Sequence, residues 1–207
     1  MNSMKIKAII FDLWETLGTK NVGISESLRA KFEIEKTPDF MHLYEHAVQL
    51  KKWNTEDEMA ENFLKDFKLE NTEINRMWII ELFREGIDKA TLFPGILELL
   101  QDLKNKGYKL GFISNTTVFE SVVLDKWNVK ELLDVISFSW EVGSKKPTKE
   151  IFDITLEKLG VAPEEAVFID DGQKNIDAAQ SFGMHGIRFE SVDQLVADLH
   201  KLNIYEI

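Results

Sequence analysis

Short apolar runs alternate with helix-like segments from residue 91 onward, and this alternation limits the fold more than any other feature of the sequence. The apolar runs cover residues 109–114, 134–138, 166–170 and 186–189. Strands separated by segments of helix length pair in parallel through right-handed crossovers. We therefore expect an α/β fold built on a doubly wound parallel sheet.

The segments between these runs have the 3.6-residue periodicity of amphipathic helices. One predicted helix begins at Pro94 and a second covers residues 117–127. A third ends at Gly160, a fourth covers residues 175–182, and a fifth begins after the Ser191-x-x-Gln194 capping pattern. A capping pattern of this kind satisfies the free N–H groups of a helix start. Each predicted strand therefore has a helix to cover it.

Residues 5–12 read as a first, buried strand, and a block of different character follows it. Residues 23–90 contain no convincing strand pattern and several amphipathic stretches. One opens at the capping box of residues 55–58 and another runs from about residue 74 to residue 90. We expect a core of residues 1–22 and 91–207, with residues 23–90 inserted as a helical domain.

Composition and charge exclude several functions. The absence of cysteine excludes disulfide scaffolds, thiolate metal sites and cysteine nucleophiles. Lys and Arg total 25 against 36 Asp and Glu, a formal net charge of −11. Such a surface repels nucleic-acid phosphates and anionic lipids. We expect neither nucleic acid nor a membrane as a partner.

The sequence gives no sign of a targeting segment. The apolar run at residues 8–11 is too short for a secretory signal peptide, and no later run approaches the length of a membrane span. We expect a cytoplasmic protein.

Polar side chains follow the predicted strands where ligands bind in such sheets, outside the carboxyl ends. Taken singly, Asp12 could cap a turn, and Ser114 could cap the next helix. The adjacent pair Asp170 and Asp171 is harder to explain without a ligand, because neighbouring carboxylates repel unless a cation or donors compensate. Together, three carboxylates at neighbouring strand ends are suited to Mg²⁺.

Four segments occur in order at these strand ends: Phe11–Gly18, Phe112–Asn115, Gly143–Phe152, and Phe168–Asp171 followed by Asn175 and residues 178–179. They resemble the four motifs of the haloacid dehalogenase-like (HAD) superfamily, most of whose members are phosphatases. Residues 92–95 and the helix after them resemble the usual lead-in to the second motif. The resemblance implies a Rossmann-like core and covers all of it. The block 23–90 resembles the family's helical cap only in position and helicity.

The resemblance implies roles in phosphoryl transfer. Asp12 would be the nucleophile that becomes an aspartyl-phosphate. Ser114 would bind the phosphoryl group, and Asn115 would help to hold it. Lys146, which taken alone would be a solvated lysine, would neutralise the group and steady Asp12. The substrate would be a small phosphorylated molecule.

The resemblance also implies a Mg²⁺ site. Asp171 would be the main acidic ligand of the fourth motif, and Asp170 would act directly or through water. Asp12 and the backbone carbonyl of Trp14 would complete the protein ligands. Asn175 is a further candidate, although a turn or helix-cap role explains it too.

Trp14 departs from the family pattern. Phosphatases of this family usually carry a second aspartate there, which protonates the leaving oxygen and later activates water. An indole N–H can only donate a hydrogen bond. Because general acid–base help is typically worth about 10²–10⁴-fold, Trp14 predicts slow hydrolysis, a good leaving group or a different reaction.

Three functions therefore stay open. The first is a Mg²⁺-dependent phosphatase of a small phosphomonoester. The second is a 2-haloacid dehalogenase, a branch that resembles this chain in having an aromatic residue two after the nucleophile, but uses no metal. The third is a catalytically weak binding protein on the same fold. The retained pair Asp170 and Asp171 favours the first, because without a cation it would be a costly anionic cluster.

Overall fold

The computed structural model describes residues 5–37 and 39–205. Five of the strands form one parallel sheet in the order β5-β4-β1-β6-β7, and β2 pairs antiparallel with β3. The strands are β1 (Ala8–Phe11), β2 (Gly18–Thr19), β3 (Thr91–Leu92), β4 (Lys109–Ser114), β5 (Val135–Phe138), β6 (Ala166–Asp170) and β7 (His185–Arg188).

Ten α-helices accompany the strands in the described residues, together with three short 3-10 turns. The helices are α1 (Ile24–Lys31), α2 (Phe40–Val48), α3 (Glu56–Asp66), α4 (Glu73–Lys89), α5 (Ile96–Asn105), α6 (Val123–Lys126), α7 (Ser139–Val142), α8 (Lys149–Leu159), α9 (Gln173–Ser181) and α10 (Val192–Lys201).

Alternation along β1 explains why the sheet is covered on both faces. Ile9 and Phe11 pack in a cluster that contains buried side chains of α5 and α10. Ala8 and Ile10 pack in a second cluster, with buried side chains of α8 and α9. Since successive side chains of a strand point to opposite faces, the continuous apolar run of β1 serves both. The doubly wound α/β fold is confirmed.

The strand order reverses next to β1, and this places the polar residues. The chain runs from β1 outward to β4 and β5 on one side and to β6 and β7 on the other. In such sheets the crevice at the reversal, outside the carboxyl ends, is the ligand site. Asp12 directly follows β1, and Asp170 ends β6.

Helices α1 to α4 form a separate apolar cluster, whose fully buried members include Leu28, Phe63 and Ile79. The capping box expected at residues 55–58 is half formed. The Thr55 hydroxyl accepts from the Glu58 N–H, whereas the Glu58 carboxylate accepts from the N–H of Asn54. The short β2–β3 ladder, which the sequence did not predict, ties the chain entering this block to the chain leaving it.

The helix predicted over residues 117–127 is shorter in the structure than the sequence indicated. Only residues 120–122 (3-10) and α6 are helical there. The buried carboxylate of Glu120 accepts from the backbone N–H of Thr117 and from the hydroxyls of Thr116 and Thr117. These bonds hold the start of the segment in a turn, since side-chain acceptors compete with the helical pattern.

Two expectations extend past the described part of the chain. Residues 1–4 of the predicted first core segment and residues 206–207 of its last lie outside it. Among the helices of the described residues, none is both long and apolar enough to cross a membrane.

Candidate active site

Asp12 lies at the centre of the site because β1 is the central strand of the sheet. Its backbone N–H continues the ladder by donating to the carbonyl of Ile169 at 2.9 Å. The residue is 7% exposed. A carboxylate so placed cannot rely on water for its solvation and needs charged or donor partners.

Lys146 is the principal partner of this carboxylate. Its Nζ lies 2.5 Å from Oδ1 of Asp12 and 2.6 Å from Oδ2 of Asp170. All three side chains are buried. Burial lowers the pKa of Lys146, but the charges of Asp12 and Asp170 outweigh it, so the pKa is raised and the ammonium is retained. Lys146 thus contacts Asp12 directly, and its role of steadying Asp12 in a reaction stays a prediction.

Asn115 acts on Lys146 in this structure. Its Oδ1 accepts from the backbone N–H of Lys146 at 2.9 Å, and its Nδ2 donates to the backbone carbonyl of Lys146 at 3.0 Å. The same Nδ2 lies 3.3 Å from Oε1 of Glu45, on α2. The amide therefore positions the loop that carries Lys146, and both its ends are engaged with protein atoms.

Asp170 is fixed on every side. Its carboxylate accepts from the backbone N–H of Gly172 at 2.8 Å and from Nδ2 of Asn175 at 2.9 and 3.1 Å, in addition to the Lys146 ion pair. Asn175 thus holds Asp170 in place. Asp171, in contrast, is exposed and has its carboxylate available at the edge of the site.

The three carboxylates form a group that fits a hard divalent cation. Asp12, Asp170 and Asp171 each offer an oxygen, and these oxygens lie within 4.8 Å of one another. When all three carboxylates are ionised, the one ammonium of Lys146 leaves two negative charges uncompensated. Oxygen donors of this kind are those that Mg²⁺ takes from proteins.

The electrostatics of the three carboxylates also favour a bound cation. Burial raises the pKa of Asp12 to about 7; Lys146 opposes this shift and the charge of Asp170 adds to it. Partial desolvation and then the charge of Asp170 raise the pKa of Asp171. A cation at the cluster would favour the ionised carboxylates, since opposite charge lowers a carboxyl pKa.

Ser114 ends β4 beside the cluster and is fully buried. Within the described residues, its hydroxyl oxygen has no hydrogen-bond partner. Buried hydroxyls are rarely left unpaired. The hydroxyl therefore has a free donor for an anion bound at this point.

The Trp14 indole is engaged in a hydrogen bond and in aromatic packing. Its Nε1 donates to the hydroxyl of Thr116 at 3.2 Å, and its ring packs edge to face on Trp127 with centroids 5.9 Å apart. The ammonium of Lys20 lies 4.6 Å from the ring centroid. The neighbouring Glu15 is exposed and accepts from the Thr19 hydroxyl at 2.7 Å, as a turn residue would.

Sequence reasoning missed a second buried charge pair behind Trp14. Glu120 is 1% exposed and forms an ion pair with Lys20. It also accepts from Thr116, the partner of the Trp14 indole. The Thr117-x-x-Glu120 spacing is a capping-box pattern, and that signal could have marked the residue.

Comparison with known proteins identifies the family. A sequence model described as haloacid dehalogenase-like hydrolase matches residues 6–183. Flavin mononucleotide hydrolase 1 of Arabidopsis thaliana is 32% identical over 152 residues, which cover 72% of this chain and 58% of that protein. A phosphorylated carbohydrates phosphatase of Thermotoga maritima is 29% identical over 141 residues, covering 68% and 58%. The matched part of this chain thus spans less than two thirds of these curated relatives.

Solved structures agree with the fold. A HAD family enzyme from Bacteroides thetaiotaomicron superposes with a TM-score of 0.69 at 21% identity, covering 92% of this chain and 98% of that one. The same enzyme has been solved in complex with magnesium and inorganic phosphate (TM-score 0.67, 20% identity, covering 92% and 98%). A HAD phosphatase from Thermococcus onnurineus is 26% identical with a TM-score of 0.60, covering 89% and 86%.

Proposed function

The chain belongs to the haloacid dehalogenase-like hydrolases, and from that premise we propose that it is a Mg²⁺-dependent phosphatase of a small phosphomonoester. The observation that carries the proposal is the group of three carboxylates and one lysine at the end of β1. It offers a nucleophile and a divalent cation site in one place. Phosphatases among its relatives support the reaction class.

In this proposal Asp12 attacks the phosphorus and becomes the aspartyl-phosphate. Lys146 holds the Asp12 carboxylate in place and offsets charge on the incoming phosphoryl group. Ser114 donates its free hydroxyl to a phosphoryl oxygen. Bound Mg²⁺ would supply positive charge to the phosphoryl oxygens during transfer.

Asp12, Asp171 and Asp170 would hold the cation, with the backbone carbonyl of Trp14 as a fourth protein ligand. Asp170 already has several protein donors, which favours action through water for that residue. Asn115 acts through Lys146 in this proposal and contacts the phosphate at most with its remaining capacity.

Trp14 determines which phosphate esters the chain would hydrolyse slowly. The leaving oxygen departs without a proton from this residue, because the indole N–H is only a donor and is engaged with Thr116. The proposal therefore favours esters with good leaving groups, such as aryl phosphates.

We further propose the division into a core of residues 1–22 and 91–207 and a helical cap of residues 23–90. The separate apolar cluster of α1 to α4 and the β2–β3 ladder at its base support it. A cytoplasmic location stays a prediction from the sequence.

The aromatic residue at position 14 also keeps the dehalogenase alternative in view, since halide leaves without a proton. A screen of phosphorylated metabolites, aryl phosphates and 2-haloacids, each with Mg²⁺ and with EDTA, separates the candidates. Phosphatase turnover that needs Mg²⁺ supports the proposal. Metal-independent turnover of a 2-haloacid favours a dehalogenase, and no turnover of any ester favours a binding protein.

A further inference from the structure

A cavity of about 400 Å³ lies beside Trp14, between the turn after β1 and the helical block. Trp14, Glu15 and Lys20 line it from the turn, and Glu26, Tyr44 and Gln49 line it from the helices. Trp14 is only two residues after Asp12. The cavity is therefore a candidate for the part of a substrate that extends beyond the phosphoryl group.

We propose that this cavity receives the leaving group of the substrate and selects an uncharged, hydrogen-bonding one over one that carries a carboxylate or a second phosphate. The inference rests on the proposed phosphatase function and adds the class of substrate to it.

The charges around the cavity disfavour a second anion. Glu15 and Glu26 present carboxylates, and among the described lining residues Lys20 is the one cation. Its ammonium is already paired with the buried carboxylate of Glu120. A carboxylate on the leaving group would lie beside these carboxylates and meet no free positive charge, and like charges repel.

The pKa of Tyr44 is affected by negative charges around the same cavity. Burial and, after it, the charges of Glu120, Glu45 and Glu26 raise the pKa of Tyr44 well above its ordinary value. Its phenol therefore stays neutral, and its surroundings disfavour any further negative charge.

Gln49 supplies the hydrogen-bonding group. Its backbone carbonyl is fixed by the Ser139 hydroxyl at 2.7 Å. The residue is 5% exposed, yet its Oε1 has no partner within the described part of the chain. A carboxamide both donates and accepts, so it suits a hydroxyl or amide of the leaving group. The Trp14 ring, held by Thr116 and Trp127, lines the same cavity.

Two aryl phosphates of matched size test the inference: 4-(hydroxymethyl)phenyl phosphate and 4-carboxyphenyl phosphate. Their leaving groups differ chiefly in the charge of the distal substituent. We expect kcat/KM for the hydroxymethyl ester to be higher by about tenfold or more, a difference of about 1.4 kcal/mol, because the carboxylate would lie near Glu15 and Glu26 with no free cation.

Variants locate the effect in the cavity. Gln49→Arg adds a free cation there and should shift the preference toward the carboxyl ester by about tenfold or more. Glu26→Gln, at an exposed position, should raise kcat/KM for the carboxyl ester alone. Gln101→Arg on the exposed face of α5 is the matched control and should leave the ratio unchanged.

Equal or greater turnover of the carboxyl ester by the wild type would overturn the inference while leaving a phosphatase in place. An unchanged ratio in folded Gln49→Arg, or in Glu26→Gln if the first variant does not fold, would also overturn it. If neither these esters nor phenyl phosphate is hydrolysed with Mg²⁺, the proposed function itself fails.

Discussion

Trp14 occupies the position two residues after Asp12, where a proton donor would serve a phosphatase best. Its indole hydrogen bonds to Thr116 and packs on Trp127. The side chain is therefore part of the wall of the site. At the level of single residues, the chain pairs the Asp12 carboxylate with Lys146 and has at position 14 a side chain that cannot act as a general acid.

Replacing Trp14 by aspartate should restore proton transfer. We expect Trp14→Asp to raise kcat/KM for alkyl phosphates by up to about 10²–10⁴-fold, and kcat/KM for aryl phosphates much less, because kcat/KM reports formation of the aspartyl-phosphate and a phenolate leaves without help. Steady-state rates on an alkyl and an aryl ester, measured with Mg²⁺, test this.

Trp14→Phe is the matched control, since it keeps an aromatic ring and adds no carboxylate. Equal alkyl and aryl rates in the wild type, together with a folded Trp14→Asp protein that gains nothing, would mean that another group handles the proton and that the indole only packs.

At the level of secondary-structure elements, the β2–β3 ladder joins the segment that enters the helical block to the segment that leaves it. Gly18 makes this approach possible. A Cβ there would meet the carbonyl oxygen of Thr91 and lie 2.7 Å from the ring of Trp127. We expect Gly18→Ala to lower the free energy of unfolding by about 1–3 kcal/mol, the usual cost of overpacking.

Urea unfolding of Gly18→Ala measures this cost. Gly23→Ala is the control, because its added Cβ would meet only the carboxylate end of the Glu26 side chain, which can move. Equal free energies of unfolding for the two variants would contradict the tight contact of Gly18 with Thr91 and Trp127.

An ion pair joins α2 to the loop that carries Lys146. Glu45 pairs with Lys145, the residue before Lys146, and both side chains are mostly buried. Breaking such a pair leaves one charge without its partner. In a double-mutant cycle of Glu45→Gln and Lys145→Met, we expect a coupling energy of about 0.5–3 kcal/mol in unfolding free energy.

The exposed pair of Lys149 and Asp153 on α8 is the control for this cycle. Its coupling should be no more than about 0.5 kcal/mol, as for surface pairs on a helix. If the two cycles give the same coupling, the contact of α2 with the lysine loop contributes nothing beyond an ordinary surface pair.

Asp134 links β4 to the start of β5. Burial alone would raise its pKa, but hydrogen bonds from Lys104 Nζ at 2.6 Å and from the Leu110 N–H at 2.8 Å lower it. The stabilisation is present above the unfolded-state pKa of about 3.9. It is lost as the pH falls through the lower pKa of the folded state.

Asp134→Asn should therefore flatten the acid side of the stability curve, by less than about 1 kcal/mol because the pair is partly exposed. Urea unfolding between about pH 2 and about pH 6 measures the slope. Asp125→Asn at a more exposed pair is the control. Parallel curves for wild type and Asp134→Asn would contradict the assignment.

At the scale of the whole molecule, local patterns predicted the sheet and most of the carboxylate group. The apolar runs end at Ser114 and Asp170 as expected, and Asp12 follows β1 directly. Parallel strands bring their carboxyl ends to one edge, so the convergence of Asp12, Asp170 and Asp171 follows from strand placement alone.

Contacts between residues far apart in the sequence could not be predicted in this way. The hydrogen bonds between the Asn115 side chain and the Lys146 backbone depend on a loop far along the sequence. Gln49 faces the cavity beside Trp14 because of how the helical block lies on the sheet. Neither contact has a signature in spacing or periodicity, since both arise from tertiary packing.

The proposed function requires that Asp12 accept the phosphoryl group. Because Trp14 cannot activate water, the aspartyl-phosphate should break down slowly and accumulate. The direct measurement is the mass of the intact protein after acid quench of a reaction with an aryl phosphate and Mg²⁺, with peptide mapping of the modified residue. The account predicts a gain of one phosphoryl group on Asp12, lost in EDTA and in Asp12→Asn. Turnover without any gain, or a gain that persists in Asp12→Asn, would contradict it.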